Sequence, residues 1–282
     1  MAEKWLCGRF EFALKRPLLM GIVNVTPDSF SDGGQHATTQ AAIEHARLLI
    51  KEGADILDIG GESTRPGSMA VSVDEELARV IPVIEGLRDD GIALSIDTCK
   101  PEVMQASLGA GADMINDVTG FRNQDAVSVV AQHATCGVCV MHMQGEPRTM
   151  QSKPHYDDVV GEIEQYLLDQ AAHLMSNGVQ KNRITLDPGL GFGKTVGQNF
   201  TLLRDLNRFV RLDYPVLLGV SRKSMIGAIT GRSVDQRVAG SIAAALAGVA
   251  RGAAIVRVHD VAATKDALEV WNAVEEGGEK YE

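Results

Sequence analysis

Nine polar side chains recur along the chain, each at or near the end of a short apolar segment. They are Asn24, Asp58, Asp97, Asn116, His142, Asp187, Lys223, Arg257 and His259. The oxygens of Asp97, Asn116 and Asp187 suit the donor-rich edge of a flat heterocycle such as an aminopyrimidinone, because one carboxylate accepts from two N–H groups at once. Any single carboxylate of this kind caps a helix or pairs with a lysine about as readily as it binds a ligand. Because so many apolar segments end in a polar residue, one shared site is favoured over nine separate structural roles.

The basic members of this set predict an anion site. Lys223, Arg257 and His259 are donors that suit carbonyl and phosphate oxygens. Arg257 and His259 stand at i and i+2, so in a strand they share one face. A salt bridge at the surface is the alternative, but the pattern beside glycine-rich loops is typical of a pocket that binds an anion.

The glycine-rich segment 186–195 (LDPGLGFGKT) has two interpretations. A phosphate-binding P-loop needs glycine five residues before the Gly-Lys pair, and that position is Pro188. The missing glycine excludes the P-loop. The segment instead predicts a strand whose carboxyl end presents Asp187, followed by a glycine loop.

Eight apolar segments have the composition of strands. They span residues 17–26, 55–60, 93–98, 114–118, 138–143, 183–188, 216–221 and 254–260. Helical spacing is clearest at 38–52, followed by Gly53 as C-cap, and at 73–89. Strands that alternate with helices pair in parallel through right-handed crossovers.

This order predicts the α/β class and an eight-stranded parallel (β/α)8 TIM barrel, because such barrels gather active-site residues at the carboxyl ends of all their strands. An open doubly wound sheet gives no reason for all eight ends to converge. We predict a single domain over residues 1–282, with an N-terminal hairpin at 1–16 that plugs the bottom of the barrel, the barrel at 17–275 and a tail at 276–282.

Composition limits the protein class. The 282 residues include four cysteines and carry a net charge of -10, which disfavours nucleic-acid binding. No segment is long and apolar enough for a membrane span, and the first residues lack a signal-peptide core. Cys136 and Cys139 have the spacing of a redox pair or of half a zinc site. The chain lacks a second such pair, so two buried thiols are the favoured interpretation. We therefore expect a cytoplasmic protein that binds neither membrane nor nucleic acid.

Several strings in this chain closely resemble motifs of the bacterial dihydropteroate synthase family, in the same order and over about residues 17 to 275. They are NVTPDSFSDGG (24–34), GGESTRPG (60–67), LDPG (186–189), GFGK (191–194), SRKS (221–224) and RVHD (257–260). One departure is Cys99, where the family more often has serine.

The resemblance implies a C–N bond-forming transferase of folate biosynthesis. It joins 6-hydroxymethyl-7,8-dihydropterin pyrophosphate to para-aminobenzoate, gives 7,8-dihydropteroate and pyrophosphate, and is inhibited by sulfonamides. Carried over by motif, the pterin residues are Asp97, Asn116, Asp187 and Lys223, the pyrophosphate residues are Asn24, Arg257 and His259, and the para-aminobenzoate residues are Thr64, Arg65, Pro66, Phe192 and Ser224. Lys223, Arg257, His259 and Asp97 are the implied catalytic residues.

Residue chemistry agrees with these implied roles. A pyrophosphate on a methylene next to an electron-rich ring can depart before attack, so the site must stabilise the leaving anion and hold the nucleophile. Mg²⁺ needs only one protein oxygen, from Asn24, besides phosphate oxygens and water. Lys223 and Ser224 precede a short helix, 225–228, whose N-terminus suits the carboxylate of para-aminobenzoate.

Two other functions share part of this pattern. A pterin-binding methyltransferase would use the same acids without needing Arg257, His259 or the Thr64-Arg65-Pro66 loop. A non-catalytic pterin-binding protein would not need the complete basic set. We also expect a homodimer, for which the alanine-rich helix near residues 238–250 is a candidate contact.

Overall fold

The computed structural model describes residues 4–26, 34–63, 68, 70–145, 150 and 154–277. Its strands are β1 (Lys4–Cys7), β2 (Phe10–Ala13), β3 (Leu18–Asn24), β4 (Ile56–Gly60), β5 (Ala93–Asp97), β6 (Met114–Asp117), β7 (Gly137–Met141), β8 (Ile184–Asp187), β9 (Leu217–Gly219) and β10 (Ile255–Val258). Its α-helices are α1 (Gly34–Lys51), α2 (Val73–Leu87), α3 (Pro101–Ala110), α4 (Gln124–Gln132), α5 (Val159–Ser176), α6 (Val196–Arg204), α7 (Asn207–Val210), α8 (Ser224–Thr230), α9 (Val238–Val249) and α10 (Val261–Glu275).

Strands β3 to β10 form one parallel sheet that curls into a barrel. Its order is β8-β7-β6-β5-β4-β3-β10-β9. The two edges meet at a parallel bridge between Leu186 and Val216, where the Leu186 N–H donates to the Pro215 carbonyl at 2.9 Å. Helices separate consecutive strands, which confirms the predicted (β/α)8 barrel.

The interior of the barrel changes from apolar to polar along the strands. A bottom layer contains Leu18, Met20, Ile56, Ala93, Met114, Cys139, Leu217 and Ile255. Side chains two residues further along a strand point to the same face, so Ile56 leads to Asp58, Met114 leads to Asn116 and Ile255 leads to Arg257. The same periodicity that builds the core therefore delivers the polar side chains to the carboxyl ends.

The hairpin of β1 and β2 plugs the bottom of the barrel, as predicted. Trp5 is fully buried against the bottom layer, and its Nε1 donates to the Arg183 carbonyl at 3.2 Å. The turn lies so close to Asp113 that a Cβ at Gly8 would collide with that carboxylate, and Gly8 has a φ of +61°. A glycine is needed there for both reasons.

Asp113 holds this hairpin to the barrel. Its Oδ1 accepts from the N–H and Nε of Arg9 at 3.0 and 2.9 Å, and its Oδ2 accepts from Arg9 Nη2 at 2.9 Å and the Leu94 N–H at 3.0 Å. Both oxygens of a carboxylate that is 1 % exposed are thus used twice. The backbone of β5 and the hairpin turn are joined through one side chain.

Helix positions agree with the sequence patterns except at their ends. The helix predicted at 38–52 begins four residues earlier, at Gly34. The helix predicted at 73–89 ends at Leu87, and its Ser72 N-cap forms a capping box with Glu75. Within the described ranges, no helix combines the length and apolar character of a membrane span. Cys136 and Cys139 are buried free thiols, as predicted.

Candidate functional site

Four polar side chains, from β4, β5, β6 and β10, meet at the carboxyl end of the barrel. Arg257 donates from Nε to Asp58 Oδ2 at 2.5 Å and from Nη2 to Asp97 Oδ2 at 2.9 Å. Asp58 Oδ2 also accepts from Asn116 Nδ2 at 3.1 Å. The strand register places Asp97 level with Asn116 of β6 and with Gly60 of β4, two residues beyond Asp58. The structure therefore brings together an acid cluster and one arginine.

This cluster retains unused hydrogen-bonding capacity. Asp58 Oδ1, Asp97 Oδ1 and Asn116 Oδ1 are buried and accept no hydrogen bond from any described residue. Buried polar atoms in folded proteins are normally paired. Because Asn116 uses its Nδ2 on Asp58, its oxygen remains for a donor. The arrangement can accept several N–H groups of a ligand.

Electrostatics of the cluster follow from burial. Burial raises the pKa of Asp97 to about 7, against the lowering effect of Arg257, and Asp58 adds to the rise. Burial lowers the pKa of Arg257, but the charges of Asp58 and Asp97 outweigh it and raise that pKa above its ordinary value. Asp97 is therefore close to its protonation midpoint near neutral pH, while Arg257 stays charged.

Asp187 and Lys223 form a second pair of groups on the other side of the barrel. Asp187 is 5 % exposed and its Oδ1 accepts from the Gly189 N–H at 2.7 Å. Burial raises the pKa of Asp187, with Lys223 as the main opposing charge. Burial lowers the pKa of Lys223 to about 8, although Asp187 raises it. Lys223 Nζ donates to the Leu190 carbonyl and lies 4.7 Å from the centroid of the Phe192 ring.

The structure also explains why the glycine loop is not a phosphate cradle. Lys194 is 2 % exposed, and its Nζ donates to the Gly189 carbonyl at 2.8 Å and the Phe192 carbonyl at 2.9 Å. In a P-loop this lysine would reach ligand phosphates. Here Lys194 Nζ is bonded to the carbonyls of the loop itself, so the exclusion based on Pro188 agrees with the geometry.

Two side chains brace the ends of β9 and β10. Arg222, with a φ of +58°, forms a two-bond ion pair with Asp260. The Arg222 N–H donates to Ser241 Oγ at 2.8 Å. His259 is half-buried, and its Nδ1 and backbone N–H lie 3.0 and 3.2 Å from Ser221 Oγ. A non-glycine residue in the left-handed region is costly and marks a constrained turn. That turn carries Lys223 and Ser224.

Of the remaining predicted site residues, the structure describes Asn24 and Ser224. Asn24 is half-buried at the end of β3, and Ser224 is exposed at the first position of α8. Thr64, Arg65 and Pro66 lie outside the described residues. Among the residues that the structure describes, no group of three or more His, Cys, Asp or Glu side chains is placed to bind a metal ion.

Sequence reasoning left some connections of the site unassigned. Asp58 was visible as a strand end, but its contact with Arg257 joins residues 199 positions apart. Lys100 forms ion pairs with Glu62 and Glu76, which links the segment after β4 to the start of α3. No periodicity marks Lys100, so its partners depend on the fold alone.

Comparisons with known proteins agree with this geometry. A family model described as pterin binding enzyme matches residues 20–259. Dihydropteroate synthase of Neisseria meningitidis serogroup C is 53% identical over 274 residues, which cover 96% of this chain and 97% of that protein. Dihydropteroate synthase of Escherichia coli strain K12 is 47% identical over 261 residues, which cover 92% of each chain.

Solved structures show the same likeness. Xanthomonas albilineans dihydropteroate synthase with 4-aminobenzoic acid has a TM-score of 0.92 and 52% identity, and the match covers 98% of this chain and 99% of that one. Burkholderia cenocepacia dihydropteroate synthase complexed with 7,8-dihydropteroate has a TM-score of 0.90 and 52% identity, with 99% of each chain covered. The Yersinia pestis enzyme in a sulfonamide drug complex has a TM-score of 0.91 and 42% identity, covering 97% and 99%. This chain therefore belongs to the dihydropteroate synthase family of pterin-binding enzymes.

Proposed function

We propose that this chain joins 6-hydroxymethyl-7,8-dihydropterin pyrophosphate to para-aminobenzoate, giving 7,8-dihydropteroate and pyrophosphate in folate biosynthesis. The observation that carries the proposal is the set of buried acceptors without partners among the described residues, on Asp58, Asp97 and Asn116. They suit the N–H groups of a pterin ring. The relatives whose structures contain 4-aminobenzoic acid and 7,8-dihydropteroate support both substrates.

The pterin ring is bound by Asp97, Asn116, Asp187 and Lys223 in this proposal. Asp187 accepts from ring N–H groups as a carboxylate, and Lys223 donates to a ring oxygen or nitrogen. Asp187 is anchored through its backbone, because its carbonyl accepts from the His142 N–H at 3.0 Å. A rigid strand end of this kind holds the ligand without further ordering cost.

Arg257, His259 and Asn24 hold the pyrophosphate. The C–O bond to the methylene breaks with its electron pair leaving on pyrophosphate, the amine of para-aminobenzoate attacks the resulting cation, and the new ammonium loses its proton. Fixed positive charge beside the leaving anion lowers the barrier of such a dissociative step. Arg257 contacts Asp58 and Asp97 as well, so one guanidinium joins the pterin and pyrophosphate halves of the site.

We propose Mg²⁺ as the metal of this reaction. Asn24 offers one neutral amide oxygen, and Mg²⁺ binds through oxygen while keeping most of its waters. The donor set fits, because substrate phosphate oxygens would supply the other ligands. When bound, the ion would offset the charge of the departing pyrophosphate.

Phe192, Ser224 and the segment Thr64-Arg65-Pro66 are the proposed para-aminobenzoate residues. Phe192 is half-buried against Val118, Met141, Met143 and Met150, and its ring lies under Lys223 Nζ. Ser224 begins α8, so a carboxylate can lie near its backbone N–H. Sulfonamides would compete for the same position, as the drug complex of the Yersinia pestis relative supports.

We also propose that this chain forms a homodimer and that it is a cytoplasmic protein. Helix α9 contains no charged residue, and Ile229, Val234, Val270 and Val274 are large apolar side chains left exposed on α10 and on the α8–α9 segment. A second copy of this chain would cover them. Free thiols at all four cysteines fit a reducing compartment. Light scattering after size exclusion would give the mass of one chain if the dimer is wrong.

The decisive test mixes the purified chain with the pterin pyrophosphate, para-aminobenzoate and Mg²⁺, and follows 7,8-dihydropteroate and pyrophosphate together. We expect equimolar products and competition between a sulfonamide and para-aminobenzoate. Asp187→Ala is the matched inactive variant, and omission of Mg²⁺ tests the metal. A wild-type chain that releases no product with both substrates saturating contradicts the proposal.

A further inference from the structure

We propose that Lys194 is a positioning residue that acts on para-aminobenzoate through Phe192. Lys194 touches neither proposed substrate pocket directly, since its Nζ lies behind the loop of residues 188–193. The inference rests on the proposed function and adds a residue to which the comparisons assign no role. Lys194 is the last residue of the GFGK string, in which only Phe192 has a proposed role in binding.

Contacts of Lys194 tie the loop to the neighbouring strand end. Its Nζ donates to the carbonyls of Gly189, Phe192 and His142 at 2.8, 2.9 and 3.1 Å, and lies 3.0 Å from His142 Nδ1. The three carbonyls can only accept, so Lys194 Nζ is the donor in each of those bonds. Burial lowers the pKa of His142 to about 2, and Lys194 adds to that effect, so the His142 imidazole is neutral.

The loop needs such an anchor because glycines build it. Gly189, Gly191 and Gly193 have φ values of +67°, +87° and +66°. Glycine adopts these positive φ values readily, but its backbone loses more conformational entropy on folding than that of any other residue. Within the described loop residues, one backbone hydrogen bond closes the turn, from the Phe192 N–H to the Gly189 carbonyl at 3.1 Å. Lys194 binds a carbonyl at each end of that turn.

Phe192 depends on this anchor more than Asp187 does. Asp187 belongs to β8, and its backbone is held by the strand ladder and by the His142 N–H. Phe192 has no ladder, so its backbone carbonyl is fixed by Lys194 and its ring by Lys223 and the methionine-rich cluster. Loss of Lys194 would therefore displace Phe192 more than Asp187, whose backbone the strand ladder continues to hold.

Arg183 supplies a matched control at the opposite end of the barrel. It is also a buried basic residue, 1 % exposed, and it donates to the backbone carbonyls of Cys136 and Val130 at 2.7 Å each. Replacing either Lys194 or Arg183 by methionine removes the donor to buried backbone carbonyls, and such a loss destabilises a fold. Of these two residues, only Lys194 contacts Phe192.

The test measures the KM for each substrate, kcat and the melting temperature for Lys194→Met and Arg183→Met. For Lys194→Met we expect a KM for para-aminobenzoate raised about 10-fold or more, with the KM for the pterin pyrophosphate within about 3-fold of wild type. Arg183→Met should lower the melting temperature comparably and change neither KM. Equal shifts of both KM values in Lys194→Met, or no shift in either, would overturn the proposal.

A double-mutant cycle with Phe192→Leu tests the connection itself. If Lys194 acts through Phe192, the effects of the two substitutions on the KM for para-aminobenzoate are less than additive, while independent effects multiply. Should Lys194→Met not fold, Lys194→Gln enters the same cycle, since its amide still donates to two carbonyls. A wild-type chain without synthase activity refutes the proposed function, whereas an active wild type with additive effects refutes only the role of Lys194.

Discussion

Buried carboxylate, amide and guanidinium groups are paired differently at the two ends of the barrel. At the bottom, Asp113 uses each carboxylate oxygen twice and Arg183 donates to two carbonyls. At the top, Asp58, Asp97 and Asn116 each keep a buried oxygen without a described partner. Satisfied networks rigidify a fold, whereas unsatisfied buried groups cost stability and are retained where a ligand completes them. The contrast separates residues that hold the barrel together from those that bind.

The largest effect expected at the top is the loss of pterin binding in Asp187→Ala. The change removes the carboxylate but leaves the β8 backbone, which the ladder holds. We expect the affinity for the pterin pyrophosphate to fall about 1000-fold, because a charge-assisted pair of hydrogen bonds is lost in a buried site. Titration calorimetry measures it. Wild-type affinity in a folded Asp187→Ala protein would show that Asp187 belongs with the structural groups.

Arg257→Ala should impair turnover more than ground-state binding. Removal of one preorganised donor from a site of developing charge typically costs about 100- to 1000-fold in kcat. Arg257→Lys, which keeps the charge but not the two-carboxylate geometry, should recover part of that loss. Stopped-flow or steady-state rates of pyrophosphate release give the measurement. If kcat is unchanged in Arg257→Ala, the arginine serves only to neutralise Asp58 and Asp97.

At the bottom, Asp113→Ala should change stability and leave catalysis alone. Four hydrogen bonds between the hairpin turn, β5 and the barrel are lost, and the free energy of unfolding should fall by about 3 kcal/mol. Urea unfolding measures the fall, and the KM values of the folded fraction should equal those of wild type. A changed KM would mean that the hairpin influences the far end of the barrel, which would weaken the separation of the two ends.

Much of this contrast was predictable, because period-two alternation places both the apolar layer and the polar ends on the same strands. Asp97, Asn116 and Asp187 were identified from the ends of apolar segments, and the structure places all three at the carboxyl end. The eight strands and the plugging hairpin followed from the same pattern and are confirmed.

What the sequence does not contain is long-range pairing. The prediction placed Arg257 in an anion site, and the structure shows that it also joins Asp58 and Asp97 across the barrel. The spacing of Lys194 suggested a P-loop, which Pro188 excluded, but the sequence did not show that its partners follow two different strands, β7 and β8. Such contacts depend on barrel closure, which local spacing cannot specify.

The last expected effect is a difference between two pH values, and it concerns the stability cost of burying Asp97 with its Oδ1 unpaired among the described residues. Its pKa is raised to about 7 in the fold from an ordinary 3.8. Between these values the folded chain binds more protons than the unfolded chain, so the Asp97 contribution to the free energy of unfolding falls as pH rises from about 4 to 7. Asp97→Asn removes this titration, and the stability of the variant relative to wild type should therefore increase between pH 4 and pH 8.

The size of that increase is on the order of 3 kcal/mol, from the shift of the Asp97 pKa. Comparing the variant with wild type at both pH values cancels every contribution to stability that does not depend on the ionisation of residue 97. Urea unfolding at pH 4 and pH 8 gives the difference, and calorimetry on the same samples should show weakened pterin binding. A relative stability that is flat with pH would place Asp97 among the satisfied groups. If the relative stability of Asp97→Asn increases with pH and its pterin binding is weaker, Asp97 binds the ligand at a cost in stability, whereas Asp113 at the bottom stabilises the fold.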